Sequence, residues 1–326
     1  MIDPKTLQEA ILTFANPDNC VAYMLERRWP NGVVCPTCGR TDAAWVAKRR
    51  VWQCKSRHAK RSFSAKVGTV MEDSPVGLDK WLLAMWMVAN CKNGVSSWEM
   101  HRAIGVTQKT AWFLLHRIRL ALGNIPASKI GTNEGGPVEV DETAVGPDPY
   151  KMHSDRRTKQ RAAYGQKPKA IVMGMLDRDS RQVRAQMIPN VKRETLQNAI
   201  LEQIEKGATV YTDGWTGYDQ LAAQEYIHAT VNHANEYVRG QIHTQGIENF
   251  WSLLKRTLRG TYVAVEPFHL DRYLGEQCFR FNNRATKENP LNDADRFAIA
   301  VTQIVGKRLT YAELTGKEAN STAEAF

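Results

Sequence analysis

The amino-acid sequence predicts an α/β fold in which helices flank a mixed β-sheet, preceded by a small metal-binding ribbon and a helical segment. Two pairs of metal-ligating residue types fall within residues 31–75, and apolar residues recur with helical periodicity between 76 and 123. Over residues 137–285, antiparallel-type strand patterns come first and strands then alternate with helices, which is typical of a mixed sheet covered by helices. We expect a short helical lead-in over residues 1–30 and a C-terminal helix and tail over residues 286–326.

The strand and helix patterns can be assigned individually from alternation and helical periodicity. In the ribbon we expect short strands over residues 45–47 and 50–53. In the α/β domain we expect strands near 138–145, 169–177, 181–188, 208–212 and 228–232. Helices are expected near 192–206, 216–225, 245–258 and 268–282.

The composition is that of an ordinary globular protein with a basic surface. The chain has 326 residues, of which 43% are hydrophobic and 24% charged, and its net charge is +10. This charge favours a polyanionic partner, although many basic proteins are merely soluble. The N-terminal sequence lacks the layout of a secretory signal, and the longest apolar run, residues 81–89, is too short to span a bilayer. We therefore expect a cytoplasmic protein without a membrane partner.

Two pairs of potential zinc ligands stand at the spacing of a zinc ribbon. Cys35 and Cys38 form a Cys-x-x-Cys pair, and Cys54 and His58 follow after residues 39–53. Two such pairs can close a tetrahedral site, and a closed site of three cysteines and one histidine is structural. Arg57 stands where a four-cysteine ribbon would have its last ligand, and His58 takes over that role. The alternatives are a metal-free reduced pair or a redox pair, and the presence of a second pair favours structural Zn2+.

Residues 96–112 resemble a helix, a glycine-containing turn and a second helix. Thr107 is a suitable N-cap for the second helix, whose first turn would then face outwards as in a recognition helix. An ordinary helical hairpin packed on tryptophans gives the same pattern, and this alternative remains open. If the pair binds DNA, the side chains expected to contact bases or phosphates are Gln108, Lys109, Arg117 and Arg119.

Three acidic residues lie in three different predicted elements. Asp141 lies in one β-type run, Asp213 ends a second, and Glu248 opens an amphipathic helical stretch. Side chains alternate along a strand, so Asp141 shares a face with Glu139 while Glu142 points to the other face. Carboxylates are natural ligands of hard divalent cations, and two cations roughly 4 Å apart can drive in-line attack on a phosphodiester. A lone acid is usually a solvated surface group. The occurrence of these three acids on two strands and one helix predicts a metal-dependent site that acts on the phosphodiesters of DNA.

The helix that begins near Glu248 also carries basic residues. Lys255 follows Glu248 by two helical turns and therefore lies on the same side of the helix, and Arg259 continues that side. Glu248 could hold metal while Lys255 and Arg259 hold phosphate. We expect Lys255 to assist catalysis, and Arg256 and Arg259 to contact DNA.

At this point the sequence resembles a known family, the DDE transposases of bacterial insertion sequences, and within it the branch with an N-terminal zinc ribbon. The similar segments are Asp141, Asp213, residues 248–256, 259–262, 63–74 and 269–274. The resemblance implies an RNase H-like catalytic domain, dependence on Mg2+ or Mn2+, and action on terminal inverted repeats. It implies that Asp141, Asp213 and Glu248 are the metal-binding catalytic triad. It also implies a homo-oligomer on double-stranded DNA in a bacterial, nucleoid-associated setting.

Two other functions remain compatible with these residues. One is a non-catalytic DNA-binding regulator built on the ribbon and the helical pair, which would leave the three carboxylates and about half of the chain without a role. The other is an RNase H-like nuclease or resolvase that cuts without joining, since hydrolysis and strand transfer use the same metals.

Overall fold

The computed structural model describes residues 3–123, 126–131, 136–146, 154–155, 169–231 and 242–317. The chain forms two compact units, one comprising Met1–Asn124 with Asn283–Phe326 and the other comprising Ile125–Asn282. Among the described residues, no helix combines the length and apolar character needed to cross a membrane.

The first unit begins with helices and a small antiparallel sheet. In chain order its elements are α1 (Leu7–Phe14), α2 (Pro17–Arg28), β1 (Ala44–Val46), β2 (Val51–Gln53), β3 (Ser62–Phe63), α3 (Leu78–Asn90), α4 (Ser97–Ile104) and α5 (Gln108–Leu122). The three strands pair in the order β1-β2-β3, all antiparallel, which confirms the short strands expected in the ribbon.

The α4–α5 pair begins and ends where its sequence requires. Ser96 and Glu99 form a capping box at the start of α4, and α4 ends at Gly105 with a φ of 62°, a conformation that glycine adopts without strain. The Thr107 side chain accepts a hydrogen bond from the backbone N–H of Thr110 and so caps α5. The predicted helix, glycine turn and capped second helix are confirmed.

The second unit is the α/β unit. Its elements are β4 (Val138–Val145), β5 (Ala170–Asp177), β6 (Val183–Ile188), α6 (Arg193–Gln203), β7 (Thr209–Asp213), β8 (Ile227–Val231), α7 (Gln245–Thr257) and α8 (Leu270–Asn282). The chain then returns to the first unit with α9 (Asp293–Thr302) and α10 (Tyr311–Thr315).

The five strands of the α/β unit form one mixed sheet in the order β6-β5-β4-β7-β8. Strands β4, β5 and β6 are antiparallel neighbours, whereas β7 runs parallel to β4 and β8 runs parallel to β7. This strand order, with helices on the sheet, confirms the predicted RNase H-like fold.

One predicted helix is wrong. Residues 216–225 contain two short 3-10 turns, Thr216–Tyr218 and Leu221–Gln224, in place of the helix. Gln220 and Glu225 both adopt a left-handed backbone conformation, which interrupts any continuous helix. The segment is therefore a compact loop between β7 and β8.

Each face of the sheet has its own apolar core. On one face α6 packs through Leu196, Ala199 and Ile200 onto Val138 and Val140 of β4, in a core that also includes Tyr218. On the other face α7 and α8 cover the sheet through side chains that include Ile247, Phe250, Trp251, Leu254, Leu270 and Leu274. The alternation of β4 therefore directs Glu139 and Asp141 towards α7, and Glu142 towards the α6 side.

Glu139 joins strand β4 to the start of α7. Its side chain is 1% exposed and accepts a hydrogen bond of 2.9 Å from the backbone N–H of Ile247. Its other carboxylate oxygen lies 2.6 Å from Nε of Arg178. A buried carboxylate is stable only when paired, and the start of a helix favours negative charge. This contact fixes the first turn of α7 against β4.

Glu142, on the opposite face of β4, is held differently. Its carboxylate accepts a hydrogen bond of 2.5 Å from the Tyr218 hydroxyl. Burial raises the pKa of Glu142 to about 7, and the negative charges of Asp213 and Asp141 act in the same direction. This carboxyl therefore destabilises the fold progressively as the pH rises from its ordinary pKa of 4.5 to about 7, because the unfolded chain ionises first.

We predict opposite effects for two matched substitutions on β4. Glu139→Gln should lower the free energy of unfolding by about 3 kcal/mol, because Arg178 loses its buried counter-charge. Glu142→Gln should raise stability at pH 8, because the amide removes a charge that destabilises the fold, and the gain should shrink below pH 6. Urea unfolding followed by circular dichroism, at pH 8 and at a pH below 6, measures these effects. Equal losses in both variants would contradict this account.

Candidate functional site

Two of the three predicted carboxylates lie on adjacent strands. Strands β4 and β7 are parallel, and Glu139 is paired with Tyr211. This ladder ends there, two residues before Asp141 on β4 and two residues before Asp213 at the end of β7. Alternation then places both aspartates on the face covered by α7.

Glu248 enters this face from the helix. It lies in the first turn of α7, one residue after the Ile247 amide that Glu139 fixes to β4. The predicted apolar stripe of this helix is confirmed, since Ile247, Phe250, Trp251, Leu254 and Leu258 are buried while Glu248 is exposed. Glu248 is thus held on the polar side of a helix whose apolar side packs on the sheet.

Each carboxylate of the triad is oriented by a nearby donor. The indole Nε1–H of Trp251 donates to Asp141 Oδ2 at 2.9 Å, and the backbone N–H of Trp215 donates to Asp213 Oδ1 at 3.1 Å. The Thr244 hydroxyl donates to Glu248 Oε1 at 3.1 Å. These donors restrict the rotation of the carboxylates without neutralising them.

The negative charges of the other two acids act on Asp141. Burial raises the pKa of Asp141 to about 6, while the hydrogen bond from Trp251 opposes this rise. The negative charges of Asp213 and Glu248 raise the pKa of Asp141 further. Three like charges around one partly buried space are unfavourable without a counter-ion, and a divalent cation would relieve this repulsion.

The cysteine and histidine residues of the ribbon form a compact cluster. The ligand atoms of Cys35, Cys38, Cys54 and His58 all lie within 4.8 Å of one another. Within the described part of the chain, this is the one group of three or more His, Cys, Asp or Glu side chains close enough to hold a metal ion in this way. The carboxylates of the α/β unit therefore have a more open arrangement than the ribbon cluster.

The backbone of the ribbon directs these ligands to one point. Cys35 N–H donates to the Arg40 carbonyl at 2.8 Å, and Cys54 N–H donates to the Arg61 carbonyl at 2.8 Å, so each ligand pair sits on a tight turn. The backbone N–H of Arg40 lowers the pKa of Cys38 to about 6, which favours the metal-binding thiolate. The donor set of three sulfurs and one imidazole fits tetrahedral Zn2+.

In the helical pair, two of the four predicted DNA contacts remain on the outside. Lys109 is exposed on the first turn of α5, and Gln108 is half-buried with its amide donating to the Ser97 hydroxyl at 2.8 Å. Both lie at the start of α5, next to the Thr107 cap. The first turn of α5 therefore keeps the polar surface that the sequence predicted.

The predicted phosphate contacts of Arg117 and Arg119 are wrong. Arg117 is 4% exposed and Arg119 is 1% exposed. The Arg117 guanidinium donates to the Glu72 carbonyl and lies 5.4 Å from the centre of the Trp81 ring. Side chains buried in this way support the packing of the helical unit and cannot contact a DNA backbone.

The basic residues of α7 lie where the sequence placed them. Lys255 is half-buried in the last turn of α7 and follows Glu248 along the same side, while Arg256 is exposed. Arg259 is exposed in the π-helical turn Leu258–Tyr262 that continues the helix. Positive side chains thus extend from the carboxylates towards the end of α7.

Several contributors to the site were not predicted from the sequence. Trp251 was assigned only to an apolar stripe, but its indole also orients Asp141. Its position three residues after Glu248, facing the same strand, is a signal that could have indicated this. Glu139 was placed on the Asp141 face without a role, and the contact of its carboxylate with Ile247 depends on a residue far along the chain.

Comparison with known proteins gives matches over both parts of the chain. Residues 134–282 match the family described as the ISXO2-like transposase domain, and residues 15–58 match the transposase zinc-ribbon domain. Among solved structures, the catalytic core domain of BIV integrase is similar with a TM-score of 0.29 and 13% identity, covering 43% of this chain and 80% of that chain.

Two relatives are similar in sequence. An uncharacterized protein in transposable element ISH50 of Halobacterium salinarum is 28% identical over 279 residues, which is 81% of this chain and 90% of the relative. An uncharacterized transposase-like protein of Haemophilus influenzae is 35% identical over 101 residues, which is 31% of this chain and 81% of the relative. Together with the two domain matches, these findings confirm the resemblance drawn from the sequence: the chain belongs to the ISXO2-like transposase family.

Proposed function

We propose that this chain cuts DNA at the ends of an insertion sequence and joins the freed 3′-hydroxyl ends to target DNA. The observation that supports the proposal is that Asp141 and Asp213 lie on adjacent strands covered by the helix that carries Glu248, and that the charges of Asp213 and Glu248 raise the pKa of Asp141. Family membership supports the same function.

Asp141, Asp213 and Glu248 are proposed to hold Mg2+ or Mn2+, because their oxygen donors and mutual repulsion suit hard divalent cations. When bound, such cations activate the attacking oxygen and stabilise the leaving oxygen of a phosphodiester. In the first step water would break the P–O bond at the element end and leave a 3′-hydroxyl. In the second, that hydroxyl would attack a target phosphodiester and release a target 3′-hydroxyl.

The basic side chains are proposed to hold the substrate. Lys255 would position a phosphate beside the carboxylates, and Arg256 and Arg259 would contact the DNA backbone further along. Joining an element to its target requires two ends, so we also propose that the protein acts as a homo-oligomer on double-stranded DNA.

Neutralising one triad carboxylate should strongly slow both chemical steps while leaving DNA binding nearly intact. We expect Asp213→Asn or Glu248→Gln to lower cleavage by roughly 100-fold or more, because several kcal/mol of transition-state stabilisation would be lost. Lys255→Ala should lower it by about 10-fold, because this side chain positions phosphate without holding metal. The assay is Mg2+-dependent cleavage and strand transfer on labelled DNA carrying the element's own ends.

The matched control for the triad is Glu142→Gln. This carboxylate lies on the opposite face of β4, and a glutamine can still accept the Tyr218 hydrogen bond, so most activity should remain. Full activity of Asp213→Asn would contradict the role proposed for the triad, and DNA binding by the unaltered chain without any cleavage would leave the regulator as the better function. Cleavage without any joining by the unaltered chain would favour the nuclease or resolvase.

Cys35, Cys38, Cys54 and His58 are proposed to bind one structural Zn2+. Metal analysis of the purified chain should find one zinc per chain, and Cys38→Ser should lose it because three ligands cannot close the tetrahedron. Cys91→Ser is the control and should keep its zinc, since Cys91 lies outside the cluster. A folded, metal-free ribbon in the unaltered protein would contradict the proposal.

The first turn of α5 is proposed to contribute sequence recognition. Gln108→Ala should reduce the preference for element ends over random duplex, whereas Lys109→Ala should weaken both kinds of binding alike. Arg117→Ala should instead lower the melting temperature, because Arg117 is buried. Binding titrations at two salt concentrations separate the loss of sequence preference from the loss of overall affinity. Unchanged DNA binding in both Gln108→Ala and Lys109→Ala would mean that the helical pair has only a structural role.

A further inference from the structure

A half-exposed tryptophan stands beside the proposed catalytic carboxylates. Trp215 is 50% exposed and lies two residues after Asp213, in the loop that follows β7. Large aromatic side chains are usually buried, and one that stays exposed next to a binding site is a candidate for ligand contact. Its backbone N–H orients Asp213, whereas its side chain has no part in the proposed mechanism.

The Trp215 ring is held in a defined position. Its backbone N–H donates to Asp213 Oδ1 at 3.1 Å, and its indole Nε1–H donates to the Val191 carbonyl at 3.4 Å. The ring also packs closely on Gly217, where an added Cβ would lie 2.9 Å from the indole Cδ1 atom. The ring is therefore supported on the protein while half of its surface faces outwards.

The same loop is tied to the strand that carries Asp141. Tyr218 is fully buried, and its hydroxyl donates to Glu142, the residue after Asp141 on β4. The loop is thus anchored at one end to Asp213 and at the other to β4. As a result, the position of the Trp215 ring is fixed relative to both aspartates.

We propose that Trp215 stacks on a nucleobase of the DNA strand being cut, a base displaced from the duplex close to the scissile phosphate. This inference rests on the proposed function. The indole N–H is already used by Val191, so the ring offers an apolar π surface and no hydrogen-bond donor. Such a surface suits stacking on any base, which contributes affinity without reading sequence.

A cross-linking experiment tests the contact without requiring cleavage. The full chain with Mg2+ is mixed with element-end DNA in which single thymines near the end are replaced by 5-iodouracil, and the mixture is irradiated at long wavelength. We expect a cross-link that maps to Trp215 at one or two adjacent positions and is lost in Trp215→Leu. Efficient cross-linking at the end that maps only to other residues would overturn the proposal.

A cleavage experiment tests whether the stacked base matters. Trp215→Leu should lower end cleavage by roughly 10-fold to 100-fold, the range expected for losing one base–aromatic contact, and Trp215→Phe should recover most of it. An abasic nucleotide at the cross-linked position should slow the unaltered protein by a similar factor. The same abasic nucleotide should slow Trp215→Leu little further, because the partner of the base is already absent.

Additive effects of the substitution and the abasic nucleotide would overturn the proposal, as would full activity of Trp215→Leu. Melting temperature and zinc content of both variants exclude misfolding, and Trp215→Phe provides a second folded variant. A protein that cross-links through Trp215 but does not cut would contradict the proposed function and leave the stacking contact standing. Normal cleavage by Trp215→Leu would contradict the stacking contact and leave the proposed function standing.

Discussion

The buried carboxylate of Glu139 is the contact on which the geometry of the proposed site depends. It accepts a hydrogen bond from the Ile247 amide at the start of α7 and pairs with Arg178, so a charge inside the protein is compensated from both sides. An added Cβ at Gly246 would lie 2.8 Å from Glu139 Oε2, so a larger residue there would have to displace this carboxylate. Because the start of α7 is fixed there, Glu248 is held over the strand that carries Asp141.

Asp141, two residues after Glu139 on β4, lacks such compensation of its charge. Glu139 has its counter-charges within the protein, whereas Asp141 faces Trp251 and the negative charges of Asp213 and Glu248, and its pKa rises to about 6. A fold that compensates one buried acid and leaves its neighbour uncompensated separates a structural group from the group proposed to hold metal. The two apolar cores, on either side of the sheet, supply the stability that allows this repulsion.

Local sequence patterns were sufficient for the residues whose role depends on their own element. Alternation assigned Asp141 to its strand face, the Cys-x-x-Cys spacing identified the ribbon cluster, and the Thr107 cap located the start of α5. They failed where distant residues decide the outcome. The burial of Arg117 depends on the Glu72 carbonyl and the Trp81 ring, which periodicity cannot reveal. The loop over residues 216–225 is broken by left-handed backbone conformations that its helix-like composition conceals.

The ribbon contains few apolar side chains of its own. Its strands contain two or three residues each, and its apolar packing consists mainly of Trp29, Trp52 and Phe63. So few side chains cannot offset the conformational entropy of ordering the segment, and small folds of this kind draw their stability from metal ligation. The carboxylates of the α/β unit are carried by elements that belong to a five-stranded sheet with two apolar cores. In the ribbon, the proposed Zn2+ would therefore stabilise the fold. In the α/β unit, the fold would instead position the ligands of the proposed divalent cations.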